Sequence, residues 1–206
     1  MLDRFAIKLI KPPLNQVGEK LHRLGVTADQ VTIVGFVFGL LAFACIALGQ
    51  PMWGLLFLVL NRLCDGLDGA IARVSGITDA GGFLDISLDF LFYALIPLGF
   101  VIADPAANGV AGAVLLTSFI GTGTSFLAFA SLASKHGIEN PVYQHKSIYY
   151  LGGIAEGTET ILCFALFCLF PASFALIAYV FASLCAITIA TRIGYGYQTL
   201  KQKKSG

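Results

Sequence analysis

Asp65 and Asp68 stand three residues apart, and Asp85 and Asp89 four apart, inside two apolar stretches where a purely structural helix would carry leucine. Those spacings put each pair on one face of its own helix, stacked a turn apart. Insertion of an aspartate at the centre of a membrane helix costs about 2.5 to 3.5 kcal/mol, so four unpaired ones would cost on the order of 10 kcal/mol. Arg62 and Arg73 could neutralise two of these charges in a buried salt-bridge network. A divalent cation neutralises two by itself and is the hard centre that carboxylate oxygens prefer. The pattern therefore favours a site for one or two metal ions, suited to moving a phosphate-linked group. No Ser, Cys or His with a paired base lies near the cluster, so direct in-line displacement is favoured over a covalent intermediate.

The residues around the carboxylates fit the same chemistry. Gly66, Gly69 and Ala72 leave little side chain beside Asp65 and Asp68, and Gly81 and Gly82 do the same at the start of the next helix. Small residues in membrane helices commonly serve helix packing; flanking carboxylates, they also let a diphosphate or nucleotide lie against bare backbone. Arg73, one turn from Gly69, is placed for a forked contact with a phosphate. Asn61 and Arg62 lie one turn deeper than Asp65 and either orient its carboxylate or partner other acids. Those other acids are Glu156 and Glu159, three apart with Thr160 beside them. They either snorkel and cap their helix or line the same cavity and select an acceptor alcohol. His145 and Lys146, just upstream, could guide a phosphate-bearing acceptor or be ordinary loop residues.

Helices embedded in lipid must position these groups. With 57% hydrophobic and 12% charged residues, the 206-residue chain does not fit a water-facing surface. A bilayer takes about 20 apolar residues per helical crossing. Apolar runs at 30 to 49, 51 to 75, 81 to 103, 108 to 134, 149 to 170 and 172 to 196 predict six transmembrane helices in one all-α integral membrane domain spanning 1 to 206. Thr27 to Gln30 matches a capping box at the start of the first. Residues 1 to 27 mix apolar positions with Arg4, Lys8, Lys11, Lys20 and Arg23, interrupted by Pro12 and Pro13. They read as two short amphipathic helices lying in the headgroup region. The turn at 75 to 81 makes the two aspartate helices antiparallel neighbours, with Asp68 about eight residues before it and Asp89 about eight after, so that the two pairs sit at similar depth.

Basic residues concentrate in the N-terminal segment, the 135 to 147 loop and the 197 to 206 tail, while the turns near 50, 105 and 171 hold none. This places both termini and the aspartate pocket on the cytoplasmic side of an inner or equivalent membrane. The first strongly apolar run begins near Val31, so a cleavable signal peptide is not expected. The five cysteines fall within the predicted spans without ligand spacing and read as apolar packing. Nothing in the charge pattern indicates nucleic acid.

Read in order, Asp65-Gly66-Leu67-Asp68-Gly69-Ala70-Ile71-Ala72-Arg73, then Gly81-Gly82-Phe83-Leu84-Asp85-Ile86-Ser87-Leu88-Asp89, resembles the signature of the CDP-alcohol phosphotransferases, D-x2-D-G-x2-A-R followed by G-x3-D-x3-D. The gap between Arg73 and Gly81 is one residue shorter than is most frequent in that family. The likeness extends to the N-terminal segment and the six spans; Thr27 to Thr32 falls where relatives often read T-P-N-x-x-T. The resemblance implies a membrane transferase that takes a CDP-linked alcohol, moves its phosphoalcohol portion to an acceptor hydroxyl and releases CMP. It implies Mg²⁺ or Mn²⁺ held by Asp65, Asp68 and Asp85, with Asp89 completing the shell or acting as base. It implies a CDP site at Gly69, Ala72 and Arg73, joined by Asp65, Gly66 and Gly81, and a homodimer.

CDP-diacylglycerol is the favoured donor, because an intramembrane pocket suits acyl tails; a soluble CDP-alcohol with a lipid acceptor would use the same space. Asn61-x3-Asp65 and Asp85-x3-Asp89 loosely echo intramembrane prenyltransferases, which have longer chains and more spans. A cation carrier would distribute its acids through the membrane depth.

Overall fold

The structure, a computed structural model, describes residues 3–136 and 153–203. Seven α-helices account for nearly all of it: α1 (Asp3–Arg23), α2 (Ala28–Ala47), α3 (Pro51–Ser75), α4 (Asp79–Ala103), α5 (Pro105–Lys135), α6 (Gly157–Leu169) and α7 (Phe174–Lys203). A 3-10 turn, Pro171–Ser173, joins the last two.

The helix boundaries follow from local chemistry. The capping box at Thr27 is formed: the Thr27 N–H donates to Gln30 Oε1 at 3.1 Å and the Gln30 N–H to Thr27 Oγ1 at 3.3 Å. Gly49, at φ +75°, turns the chain after α2, and Pro51 opens α3 where a missing N–H costs nothing. Gly76, at φ +101°, ends α3 in backbone that other residues avoid. Thr78 Oγ1 then accepts from the Gly81 N–H at 3.1 Å, so α4 starts at Asp79, inside the predicted turn. Asp104 caps α5 by accepting from the Ala107 N–H at 3.0 Å.

Two elements differ from the sequence expectation. Pro12 and Pro13 do not divide the N-terminal segment: α1 is one helix that runs through both, at the cost of the backbone hydrogen bonds that their missing N–H groups would make. Of the 149 to 170 run, 149–152 lie outside the described residues and the remainder yields the 13-residue α6, because Gly153 to Glu156 is held away from helical geometry by α7. Thr188, fully buried on α7, accepts from the Ile154 and Ala155 N–H groups at 3.1 and 3.0 Å and donates to the Leu184 carbonyl at 3.0 Å.

Among the described residues, four helical stretches are long and apolar enough to cross a membrane: α2, α4, α5 and Pro171–Gln202. The 25-residue α3 has the length but carries the charged cluster. The core between them is aromatic. Phe92 and Phe100 of α4, Phe164 and Phe167 of α6, and Phe174 at the start of α7 are all nearly inaccessible, with Phe100 and Phe174 stacked at 5.0 Å. All five cysteines are free, and Cys163, Cys168 and Cys185 are buried in this core.

The arrangement of α2, α3 and α4 determines the site. Helix α2 packs along both α3 and α4, whereas close backbone approach between α3 and α4 is sparse. Gly35 makes the α2–α3 crossing possible: a Cβ there would sit 2.8 Å from Cys64 Cβ. The two aspartate helices are thus antiparallel but parted, with α2 as the floor between them.

Candidate active site

The cleft between α3 and α4 is lined by Asp65, Asp68, Asp85 and Asp89, together with Asn61 and Arg62; Thr32, Gly35 and Phe36 of α2 form its floor. One oxygen from each of Asp65, Asp85 and Asp89 falls within a group whose members all lie within 4.8 Å of one another. The i, i+4 pair of α4 and one carboxylate of α3 therefore meet across the gap, at the shared depth that the spacing predicts. Hard oxygen donors converging this closely, partly open to the cleft, fit a divalent cation of the Mg²⁺ or Mn²⁺ kind. Asp65 and Asp89 keep 38% and 27% side-chain exposure, enough for a ligand to reach them.

Asp68 stands outside that three-residue group. It is buried, and its Oδ2 accepts a hydrogen bond of 2.7 Å from the Thr32 hydroxyl, whose oxygen also lies 3.1 Å from the Ala28 carbonyl and shares its one proton between them. The sequence reading placed Thr32 at the end of the stretch compared with T-P-N-x-x-T but gave it no role at the aspartates. Its signal was a hydroxyl in an otherwise apolar span, one turn from Gly35.

Arg62 resolves the choice left open by the sequence, because it turns to the aspartates. Its Nη2 lies 2.8 Å from Asp89 Oδ1 and its Nη1 3.5 Å from Asp65 Oδ1. Arg62 Nε donates to Asn61 Oδ1 at 2.7 Å, and Asn61 Nδ2 donates to the Gly35 carbonyl at 2.8 Å. The guanidinium lies over the Phe92 ring, 4.5 Å from its centroid.

The small residues divide into two uses. A Cβ on Gly69 would meet only Arg73 Nη1, at 3.4 Å, and one on Gly82 would meet nothing within 4 Å. Both backbones are open to a ligand. Gly66 instead faces α1, where a Cβ would stand 2.6 Å from Leu14 Cδ1; Gly81 faces Thr78 Oγ1 and Asp29 Oδ1 at 3.0 and 3.1 Å. Ala72 is half-buried, and Arg73 is exposed with its Nη2 donating to Asn15 Oδ1 of α1 at 3.0 Å. No local pattern marks Asn15, since its partner is 58 residues away.

Glu156 and Glu159 do not line the aspartate cleft. Glu156 precedes α6 and its Oε1 accepts from the Gly153 N–H at 2.8 Å, while Glu159 lies in the first turn of α6. The two are therefore not a pair on one helical face, because α6 begins after Glu156. His145 and Lys146 fall outside the described residues.

Comparison with known proteins agrees with this geometry. A family model described as CDP-alcohol phosphatidyltransferase matches residues 25–193. The chain is 59% identical over 201 residues to the inner membrane protein YnjF of Escherichia coli, covering 98% of each. It is 31% identical over 187 residues to the archaetidylinositol phosphate synthase of Methanothermobacter thermautotrophicus, covering 87% of each. Among solved structures it is similar in fold to the phosphatidylinositol phosphate synthase of Mycobacterium tuberculosis with CDP-DAG bound. That match has a TM-score of 0.71 and 20% identity, over 89% of this chain and 93% of that one. A structure of the same enzyme with manganese and citrate gives a TM-score of 0.70 at 20% identity, over 89% and 88%.

Proposed function

This chain belongs to the CDP-alcohol phosphatidyltransferase family, and we propose that it transfers the phosphatidyl group of CDP-diacylglycerol to the hydroxyl of an acceptor alcohol, releasing CMP. The observation that carries this reading is the convergence of Asp65, Asp85 and Asp89 oxygens in the cleft between α3 and α4, two helices that also carry the unobstructed Gly69 and Gly82. Asp65, Asp68 and Asp85 would hold Mg²⁺ or Mn²⁺, one ion or two, with an Asp89 oxygen in reach of the same ion; a bound ion would supply neutralising charge for the diphosphate and the departing CMP.

The remaining work belongs to side chains. Arg73 and the bare backbone at Gly69 and Ala72 seat the cytidine diphosphate, with Gly66 and Gly81 allowing the helices around it to close. Asp89 accepts the proton of the acceptor hydroxyl as the new ester bond forms; a base contributes by its position in the transition state even when its basicity is modest. Relatives named as synthases of archaetidylinositol phosphate and of phosphatidylcholine make inositol phosphate and choline the first acceptors to try.

Six membrane crossings, α2 to α7, support the site, with α1 lying amphipathically in the headgroup layer. Both termini and the cleft mouth face the cytoplasm, and the active form is a homodimer.

The deciding experiment incubates purified protein with Mg²⁺ or Mn²⁺, radiolabelled CDP-diacylglycerol and a panel of alcohols, and scores CMP release. A soluble CDP-alcohol with a diacylglycerol acceptor is run in parallel. Metal-dependent CMP release with one donor assigns the substrate class. Folded protein that releases no CMP from either donor overturns the transferase reading.

A further inference from the structure

At the end of the bundle opposite the 75–81 turn, α2 ends, α3 begins, α4 gives way to α5, and the Pro171–Ser173 turn leads into α7. A cavity of about 450 Å³ lies among these ends, with Ile46, Phe100, Asp104, Ala107, Asn108 and Ala172 in its lining. That volume is in the range of pockets that hold small ligands. Its inner wall is apolar, since Ile46 and Phe100 belong to the buried core and Phe100 stacks on Phe174.

Two polar groups stand against this apolar wall. Asn108 is buried; its Nδ2 donates to the Phe100 carbonyl at 2.9 Å, and its Oδ1 accepts from none of the described residues. Asp104, one turn earlier, is exposed, and its Oδ1 accepts from the Ala107 N–H at 3.0 Å. Both offer hydrogen-bond acceptors, and Asp104 already fills the N-terminus of α5, where an anion would otherwise be drawn. No lysine, arginine or histidine occurs between Arg23 and Arg62, between Arg73 and Lys135 or between Lys146 and Arg192. The three turns around the cavity therefore carry the charge of Asp104 with no cation of their own. Leu48, Met52, Trp53 and Phe170 are exposed beside it, and an apolar and aromatic rim of this kind suits the level of lipid headgroups.

We propose that this cavity binds a phospholipid whose headgroup carries a primary ammonium, with the ammonium at Asp104 and Asn108 Oδ1 and the upper part of an acyl chain over Phe100 and Ile46. A primary ammonium brings three N–H donors together with a positive charge. A quaternary ammonium brings the charge without the donors, and a phosphoglycerol headgroup brings donors without the charge. The bound lipid ties the α2–α3, α4–α5 and α6–α7 connections together and stabilises the bundle by mass action. None of these residues lines the aspartate cleft, so the proposal stands apart from the transferase reading.

The test is thermal unfolding of the full-length protein in mild detergent with added phosphatidylethanolamine, phosphatidylcholine or phosphatidylglycerol of matched chains. Phosphatidylethanolamine at about ten times its Kd is expected to raise Tm by about 3 to 5 °C, and the other two lipids by less than about 1 °C. Asp104→Asn keeps a good helix cap and removes the charge; its own Tm is expected not to respond to phosphatidylethanolamine. Ala107→Phe, at an exposed position, is expected to fill the cavity and abolish the response as well, and it carries the test should Asp104→Asn not fold. Native mass spectrometry is expected to find one phosphatidylethanolamine fewer on either variant than on the wild type. Equal stabilisation by phosphatidylcholine, a preference for phosphatidylglycerol, no response to any of the three lipids, or a response that survives in both variants overturns the proposal. Absence of CMP release from the wild type would remove the transferase reading and leave this site standing.

Discussion

The Thr32 hydroxyl donates to Asp68 Oδ2 across 2.7 Å, joining α2 to α3 at the buried aspartate of the cluster. This bond ties Asp68 to α2, whereas Asp65 and Asp89 meet Arg62 of α3 and converge with Asp85 on the cleft. Replacing Thr32 with valine keeps the shape and orphans a buried acceptor, which costs about 1 to 3 kcal/mol. Thr32→Val is expected to melt earlier and to lose about tenfold in kcat/KM. Thr32→Ser, which retains the hydroxyl, is expected to stay close to the wild type; thermal unfolding and CMP release measure both.

Asp89→Asn is expected to abolish turnover while leaving Mn²⁺ and CDP binding nearly intact, since Asn keeps the volume and can still meet Arg62. Calorimetric titration of both ligands distinguishes this from Asp65→Asn or Asp85→Asn, for which metal binding itself is expected to fall. Lost metal binding in Asp89→Asn would make Asp89 chiefly a ligand.

Glycines at two levels of the α1–α3 contact are expected to respond differently. A Cβ at Gly18 would stand 2.8 Å from Ala70 Cβ and 3.2 Å from the Ala70 carbonyl carbon, with nothing flexible to yield. Gly18→Ala is therefore expected to destabilise by about 1 to 3 kcal/mol as α1 is forced off α3. Gly66→Ala meets only the far end of Leu14, which can rotate away, and its cost is expected to be under about 1 kcal/mol. Parallel thermal melts in one detergent decide the order.

Asn15 is expected to matter for donor binding although it lies outside the signature. Asn15→Ala removes the acceptor that holds Arg73 at 3.0 Å. One hydrogen bond of about 1 kcal/mol corresponds to about a fivefold rise in KM for the CDP-linked donor, with kcat unchanged. Steady-state kinetics at saturating acceptor measures this. An unchanged KM would show that Arg73 places itself.

Much of the site is legible in the sequence because its information is local. Spacings of three and four fix the faces of α3 and α4, and Gly76 with Thr78 fixes the turn that brings Asp65 level with Asp85 and Asp89. The helix starts at Thr27, Pro51 and Asp104 are equally local, each a side chain or ring acting within four residues. What could not be read depends on distant pairing. Thr32 reaches Asp68 over 36 residues and Asn15 reaches Arg73 over 58, and no periodicity encodes either. Gly66 looks the same in sequence as Gly69, yet one receives Leu14 and the other stays open. The start of α6 could not be placed because apolar character continues across residues that Thr188 holds in a non-helical path.

Thr188 has a consequence for how this fold tolerates change. Its single hydroxyl oxygen uses both lone pairs on the Ile154 and Ala155 N–H groups and its proton on Leu184, so its bonding capacity is full. The register of α6 against α7 is therefore anchored at the point where the chain enters the bundle. Insertions or deletions upstream of Gly153 end at that anchor and do not propagate into the helix. One oxygen atom on α7 thus fixes the path of the chain from Ile154 into α6.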